Sequence, residues 1–589
     1  MRVVETDVLI VGAGPAGLTS AIALASQGVA AIAISRHSGT APTPRAHVTN
    51  QRTMEVFRDL GIEGRIQEVG WPLSFLRHNV MTTSLSGMEL VRWKSYGSAP
   101  DRLSDHAAAS PCDGYNAPQH VMEPVLLAVA RERGADVRFL NELVEIEQTA
   151  DGVSARILER DGGAEYLIKA KYAIGADGAR SRVAEQMGFE FKGQAGLRTM
   201  CNAWLEADLT AYTAHRPGVL YGIYRPDGPN WFGTATWANM RPWNEWNFMQ
   251  AWDPALPLPS EDEVIAKARL TIGDSDITIR VKAISTWEVN NVVATQYRKG
   301  RVFLAGDACH RHPPSGGLGT NTSLQDAYSL AWRLALVLSG KAGDALLDSY
   351  EAERQPVGAQ VVERAIQSFH NTALMVEAFG LQSDQTKAEG WAALHGLFSD
   401  GPESSERREK LAAAVRRQYY RSNALGVELG QRYASSAVVD DGTPFREPEG
   451  DPELYYRPTT HPGACLPHAW IEHEKREVST HDLVGQGRFT LIVGIGGAPW
   501  ADAARQVAEE FGIDLPVRAI GARCAFDDVT NAWKDVREVG DEGALLVRPD
   551  RFVAWRSMGA VASPCDALRS ALRQVLGVGV SASAPLEHV

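Results

Sequence analysis

The sequence predicts an α/β protein: a Rossmann-like dinucleotide-binding domain, a β-rich domain inserted into it, and a separate α/β domain towards the C-terminal end. Three observations predict this. The chain opens as strand, glycine turn, helix and strand. Long alternating segments interrupt that unit, and strand–helix alternation returns after a Pro- and Gly-rich passage. At 589 residues the chain is too long for one core, so several domains are expected.

In the opening unit, "TDVLIV" reads as a buried strand and "GAGPAG" as a turn. "LTSAIALASQG" reads as a helix stopping at Gly28, and "VAAIAIS" as the next, parallel strand. Gly12, Gly14 and Gly17 form G-x-G-x-x-G, with Pro15 and Ala16 inside it. Glycine permits the tight turn and close backbone approach, and the helix start offers unpaired N–H groups to a pyrophosphate. The second strand ends in Ser35 and Arg36 where such folds usually place an acid for the ribose. Taken alone, Arg36 points to a phosphate or the adenine of a cofactor such as NADP.

From Asp136 to Ile174 the chain alternates as strands, closing in "GADGARS", which holds Asp177. The stretch from Gln194 to Val292 is β-rich and dense in tryptophan. Helices follow at Leu324 to Leu338 and through Pro356, "SDGPESSERREK" reads as a polar linker, and α/β alternation resumes from about residue 450. The expected division is 1–75, 105–190 and 292–375 for the dinucleotide-binding domain and 76–104 with 191–291 for the β-rich domain. Residues 376–449 are expected to be a helical linker region and 450–589 the C-terminal domain.

The formal net charge of −13 argues against nucleic acid or an anionic membrane as the main partner. The six cysteines are scattered without a C-x-x-C pair, so neither a disulfide framework nor a zinc ribbon is expected, and a reducing, cytoplasmic setting is. The start does not read as a signal peptide, and no apolar run reaches the roughly 20 residues of a membrane span.

The densest chemistry lies in "RVFLAGDACHRHPPSGGLGTNTSLQDAYSLAWRLA", Arg301 to Ala335. Asp307, His310 and His312 are metal-ligand types. A strand ending in Gly-Asp before a glycine-rich helix start is also a place for an anionic or electron-rich ligand. The flanking motifs account for the loop without a metal, so none is expected and the histidines read as hydrogen-bonding groups.

"GAGPAG", "GADGARS" and "GDACHRHPPSGGLGTNTSLQDAYSLAWRLA", in this order and spacing, resemble the single-component FAD-dependent aromatic hydroxylases. "APTPRAHVTNQRTMEVFRDLGIE" and the late "GALLVRPDRFVAWR" are similar to the phenol-hydroxylase branch, that of the 2,4-dichlorophenol and 2-hydroxybiphenyl enzymes. The resemblance implies a p-hydroxybenzoate hydroxylase-like core and a thioredoxin-like C-terminal domain, which lacks C-x-x-C and so has a structural or oligomeric role; a homodimer is expected. It implies bound FAD and a transient NADH or NADPH, since the family has no separate nucleotide domain and Arg36 therefore does not choose between them. Asp307, with Gly306, is implied at the ribitol, and Pro313, Gly316, Gly319, Thr320 and Asn321 along the flavin ring. Arg45 and Gln119 are implied to touch FAD, and Asp177 to serve FAD and the nicotinamide nucleotide or to be a structural turn.

The implied reaction uses dioxygen, through a flavin hydroperoxide, to hydroxylate a substituted phenol ortho to its hydroxyl, giving a catechol. A phenol near pKa 10 reacts better as phenolate, so a base is needed. His47 is the candidate base and Arg241 the second catalytic candidate. Asn116 is a candidate substrate contact, and Trp93, Tyr221, Trp237 and Pro313 are candidates for the walls around a small aromatic substrate. Asn116 stands where the resemblance implies aspartate, so His47 works without an acid, Asp113 substitutes, or the substrate differs and is more acidic or already ionised. A tailoring hydroxylase for a larger polyphenol or polyketide is the alternative within the fold; a flavin dehydrogenase or a non-enzymatic dinucleotide-binding protein are the others. "WNEW" lacks the W-x-W-x-I-P signature of the related halogenases.

Overall fold

A computed structural model describes residues 1–226, 234–382 and 384–578. The first large sheet runs parallel in the order Val302–Leu304, Glu165–Gly175, Arg2–Val11, Ala31–Ser35 and Asp136–Phe139, with an antiparallel extension from Asn141–Gln148 and Val153–Glu159. The opening strand is therefore central. Its Val8–Val11 run is buried on both faces, as parallel strands covered by helices require. The helix Pro15–Ser26 packs between Gln119–Glu132 and Gly319–Leu338.

The second large sheet orders His310–Arg311, Arg280–Ala294, Phe191–Glu206, Glu245–Ala251, Ala235–Arg241, Gly218–Ile223, His78–Thr82 and Glu89–Lys94. The segment 76–104 thus joins the strands of 191–291, and the cofactor-side residues His310 and Arg311 close its edge. Strand alternation gives this sheet two faces. One carries Val80, Tyr221, Trp237, Trp246 and Phe248 against Val264, Ala268 and Ile272 of the helix Glu261–Ile272. The other carries Leu220, Ala238 and Met240 against Val48, Leu73 and Leu76 of the first domain.

This corrects the expectation for Tyr221 and Trp237. Both lie on the helix-facing side, where the Trp237 Nε1–H donates to Thr271 Oγ1 at 3.1 Å and the Tyr221 hydroxyl to the Arg216 carbonyl at 2.9 Å. They are core residues on the side of the sheet away from Val48. Trp93 is on the Val48 side of the sheet but packs with Met81 and Tyr224 beneath later helices.

The expected polar linker is also corrected. The charged run of "SDGPESSERREK" opens a regular helix, Pro402–Ser422, with proline in its first turn. Its buried positions Leu411, Ala414, Gln418 and Ser422 recur at helical spacing and pack along the long helix Ala345–Phe379, so most of the charges fall on the solvent side, while Arg407 donates to the Phe379 and Ala393 carbonyls. The long helix runs through Pro356 without a break.

The C-terminal sheet orders Val517–Ala519, Thr490–Val493, Ala544–Val547 and Val553–Ser557, with helices Ala498–Phe511 and Pro564–Val575 packed together. It docks on the first domain through buried charge. Arg548 binds Glu353 at 2.6 Å and Asp550 at 2.6 Å, Arg333 also pairs with Glu353, and the Trp332 indole donates to Asp550 at 3.0 Å. Burial raises the Glu353 carboxyl, but Arg333 and Arg548 outweigh it and hold it below its ordinary value. Among the described residues no helix is long and apolar enough to cross a membrane. Glu353→Ala would leave two buried guanidinium groups short of an anion, at a cost of about 3–5 kcal/mol. Thermal unfolding followed by circular dichroism should show the midpoint falling by several degrees.

Candidate active site

Three turns meet at the carboxyl ends of the parallel strands. A Cβ at Gly12 (φ +113°) would lie 2.1 Å from the Ala176 carbonyl oxygen, and one at Gly17 would lie 1.8 Å from the Gly12 oxygen. These two glycines let the turn close on itself and on "GADGARS". Gly14 differs: its nearest neighbour would be Glu123 Oε1 at 3.9 Å, so its backbone faces open space. The helix it starts, with Pro15 and Ala16 at its head, has no side-chain cap. A Cβ at Gly306 would meet Ser323 at 3.0 Å and the Ala16 Cβ at 3.2 Å, which brings the Gly-Asp turn against the same helix start.

The donor set fits a dinucleotide carrying a ribitol. Asp307 is solvent-accessible and accepts no hydrogen bond from the described residues. Protein nevertheless surrounds it, so burial raises its carboxyl while His310, Arg45 and Arg311 pull it down. An accessible acid with free lone pairs suits a polyol. Arg45 is exposed with no hydrogen-bond partner among the described residues, as a phosphate contact requires. Arg36 is exposed and, with Arg45 and Arg160, surrounds His37, whose pKa burial and these three cations lower. The helix Gly319–Leu338 begins at Gly319 and Thr320 without a side-chain cap, leaving N–H groups unspent.

Other expected cofactor residues are already engaged. The Asp177 carboxylate accepts from Ser181 Oγ at 2.5 Å and from the Arg182 and Val183 N–H groups at 2.7 and 3.3 Å, so it caps the next helix, which fits the structural one of its two readings. The Asn321 side chain is likewise engaged, while its backbone stays in the first turn of the uncapped helix. Its amide donates to the Val48 and Gly317 carbonyls at 2.9 and 2.6 Å and accepts from the Asn50 N–H at 3.0 Å. It pins the strand after His47 to the loop of Gly316 and Gly317. Gln119 donates to Glu123 at 2.6 Å. Pro313 is buried, and its carbonyl lies 2.7 Å from His312 Nδ1.

Two further residues organise the site. Glu123 joins Gln119 to the loop after Arg36 by accepting the Ala41 N–H at 2.5 Å. Asp326 is wholly buried and accepts from the Gly306 N–H at 3.1 Å, His310 Nε2 at 2.8 Å and Arg354 Nε at 2.8 Å. Burial raises its carboxyl, but Arg354 and His310 outweigh that and hold it below the ordinary range. A lone acid among Leu324, Ala327, Leu330 and Leu334 is the signal by which the sequence could have revealed it. Ligand-type atoms do cluster at Cys309, His310 and Asp326 rather than at Asp307, His310 and His312. Arg354 occupies Asp326, and burial keeps the Cys309 thiol protonated, so the cluster reads as a hydrogen-bonded set.

His47 is half-buried, with Nδ1 2.7 Å from Asn116 Oδ1. Asn116 is fully buried and its Nδ2 donates to the Asn239 carbonyl at 2.9 Å. With both ends of its amide engaged, Asn116 is corrected from a substrate contact to a support for His47. Asp113 is exposed and has no bond to His47. Arg241 is exposed two residues beyond Asn239, at the strand end beside His120.

Residues 5–365 match the family described as FAD binding domain, and residues 459–578 the family described as aromatic-ring hydroxylase, C-terminal. The chain belongs to the FAD-dependent aromatic-ring hydroxylases. It is 44% identical to 2,4-dichlorophenol 6-monooxygenase of Delftia acidovorans, covering 98% of this chain and 99% of that protein. It is 41% identical to phenol 2-monooxygenase of Pseudomonas sp. strain EST1001, covering 96% and 92%. The structure of the flavin-dependent monooxygenase PieE in complex with FAD and substrate matches with a TM-score of 0.94 at 44% identity, over 98% of this chain and 99% of that one. The hydroxylase is therefore an FAD-dependent monooxygenase with the core and C-terminal domain that its motifs imply.

The two kinds of glycine separate experimentally. Gly17→Ala should abolish soluble folded protein, because the backbone blocks its Cβ. Gly14→Ala should fold with an unchanged far-ultraviolet spectrum but purify with a lowered flavin-to-protein ratio.

Proposed function

We propose that this hydroxylase uses NADH or NADPH and dioxygen to hydroxylate a substituted phenol ortho to its hydroxyl, giving a catechol, as a cytoplasmic homodimer. The observation that carries the reading is the His47–Asn116–Asn239 chain. The Asn116 Nδ2–H donates to the Asn239 carbonyl, which turns its oxygen to His47 and places the imidazole proton on Nδ1. Nε2 then keeps its lone pair for the phenol proton. Burial lowers the His47 pKa, with the Asn116 bond opposing, so the ring is neutral at neutral pH and free to accept a proton. Aspartate at 116 would set a second acceptor against the Asn239 carbonyl, so the amide supports the base through geometry rather than charge.

FAD, when bound, supplies the acceptor for the nicotinamide hydride and activates dioxygen. The chain's own residues prepare the ring. The Val48, Leu73, Leu76, Leu220, Ala238 and Met240 cluster beside His47 offers an apolar wall. A phenol there loses its proton to His47 Nε2 and gains electron density at the ortho carbon. The names of the two bacterial relatives support a phenol. Arg241, close to the same strand end, is the second group we assign to the reaction.

The test is oxidation of NADH and NADPH by the yellow protein with a panel of phenols, together with oxygen uptake and catechol analysis. Stimulation with catechol formation is expected; no stimulation by any phenol would sink the reading. His47→Ala should keep its flavin and lose about a hundredfold or more in kcat/KM near neutrality. The deficit should narrow as pH rises towards the phenol's own pKa near 10. Wild-type kcat/KM should fall only on the acid side of histidine's ordinary value of 6.5, because the pKa of His47 is lowered. Asn116→Asp should move that limb to higher pH, since a carboxylate favours imidazolium. Coincident pH profiles would leave His47 a packing role.

A further inference from the structure

Arg421, near the substrate side of this site, has no partner among the described residues. The helix Pro402–Ser422 ends against the flavin-side loop, with the Arg421 carbonyl 3.2 Å from where a Cβ of Gly316 would sit. The next carbonyl, Ser422, accepts the Tyr96 N–H at 2.8 Å, and Gly97 donates to Asn423 Oδ1 at 3.2 Å. Tyr96 packs against the Val48, Leu220 and Ala238 cluster, one residue along from His47. Tyr224 is 3% exposed on the same side of the sheet, its ring folded over Gly222, where a Cβ would meet Cε2 at 3.1 Å.

The polar ends of these groups are unspent. Arg421 is half-buried and makes no hydrogen bond or ion pair with the described residues. Neither the Tyr96 nor the Tyr224 hydroxyl has a hydrogen-bond partner among them. The Asn79 amide, 3% exposed and paired in the sheet with Leu220, has none either. Burial pushes both phenols up to about 12, Arg421 opposing in each case, so at neutral pH they remain donors beside a guanidinium. A cation, two hydroxyl donors and an amide line this wall, with the Glu428 carboxyl also facing Tyr96; burial raises that acid to about 7, so the set can still receive an anion. A phenol without a charge would offer the Arg421 guanidinium no anion.

We infer that Arg421, flanked by Tyr96 and Tyr224, selects an aromatic substrate that carries a carboxylate away from the hydroxyl whose ortho position is oxidised. This rests on the phenol-hydroxylase reading above and deepens it to hydroxyaromatic acids. The planar fork of Arg421 matches the two oxygens of a carboxylate.

The test measures binding of para-hydroxyphenylacetate and its neutral amide to the FAD-loaded protein by titration calorimetry, with turnover of simple phenols run in parallel. Wild type should bind the acid about 10- to 100-fold more tightly, the range of a charge-assisted hydrogen bond. Arg421→Met should bring that ratio close to one and Arg421→Lys should restore part of it. Arg417→Met, one turn earlier on the same helix, should leave it unchanged. Equal affinities in wild type, or a preference that survives Arg421→Met, would overturn the inference. So would failure of both ligands to bind while other phenols are hydroxylated. Failure of every phenol to bind or react would remove the hydroxylase reading as well.

Discussion

The site depends on one buried carboxylate. Asp326 sits in the apolar helix behind the Gly-Asp turn and collects a backbone N–H, an imidazole and a guanidinium. Those bonds fix Gly306 beside Asp307, which points outwards without a hydrogen-bond partner among the described residues. Arg354, which balances the charge, continues to Gln431 at 2.8 Å and Tyr433 at 2.9 Å, and Tyr433 stacks on Phe552 of the C-terminal domain at 4.0 Å. The geometry of the cofactor turn is thus referred, through one arginine, to a domain that takes no part in the chemistry.

That chain gives the C-terminal domain a physical role without redox cysteines. Its Arg548 enters a buried set with Glu353, Arg333 and Asp550, so its attachment is ionic as well as apolar. Buried ion pairs add little net stability over well-packed apolar contacts, but they tolerate few alternative arrangements. A domain attached in this way holds the helices behind the flavin in a single register.

How much of this the sequence disclosed follows from the range of each interaction. The glycine turn, the Gly-Asp turn and the domain order were legible because local backbone needs dictate them. Gly12 and Gly17 could be named but not distinguished from Gly14, because the difference lies in what surrounds an absent Cβ. Tyr221 and Trp237 were misplaced because alternation defines two faces and does not say which one a later helix covers. Asp177 and Asn321 carried the right residue types in the right motifs and yet spend their hydrogen bonds on the protein. Asn116 was visible as a departure from the relatives. Its reason was not, because the Asn239 carbonyl that demands a donor lies 123 residues away.

The pairing of His310 and Arg311 with Val293 and Val292 has a mechanical consequence. These two residues follow the cofactor turn directly, yet they form the last rung of the substrate-side sheet. One ladder is therefore shared by both bodies, and the sheet cannot shear against the flavin domain without pulling on the turn. The two sides of the site are thus joined over a covalent distance of three or four peptide units.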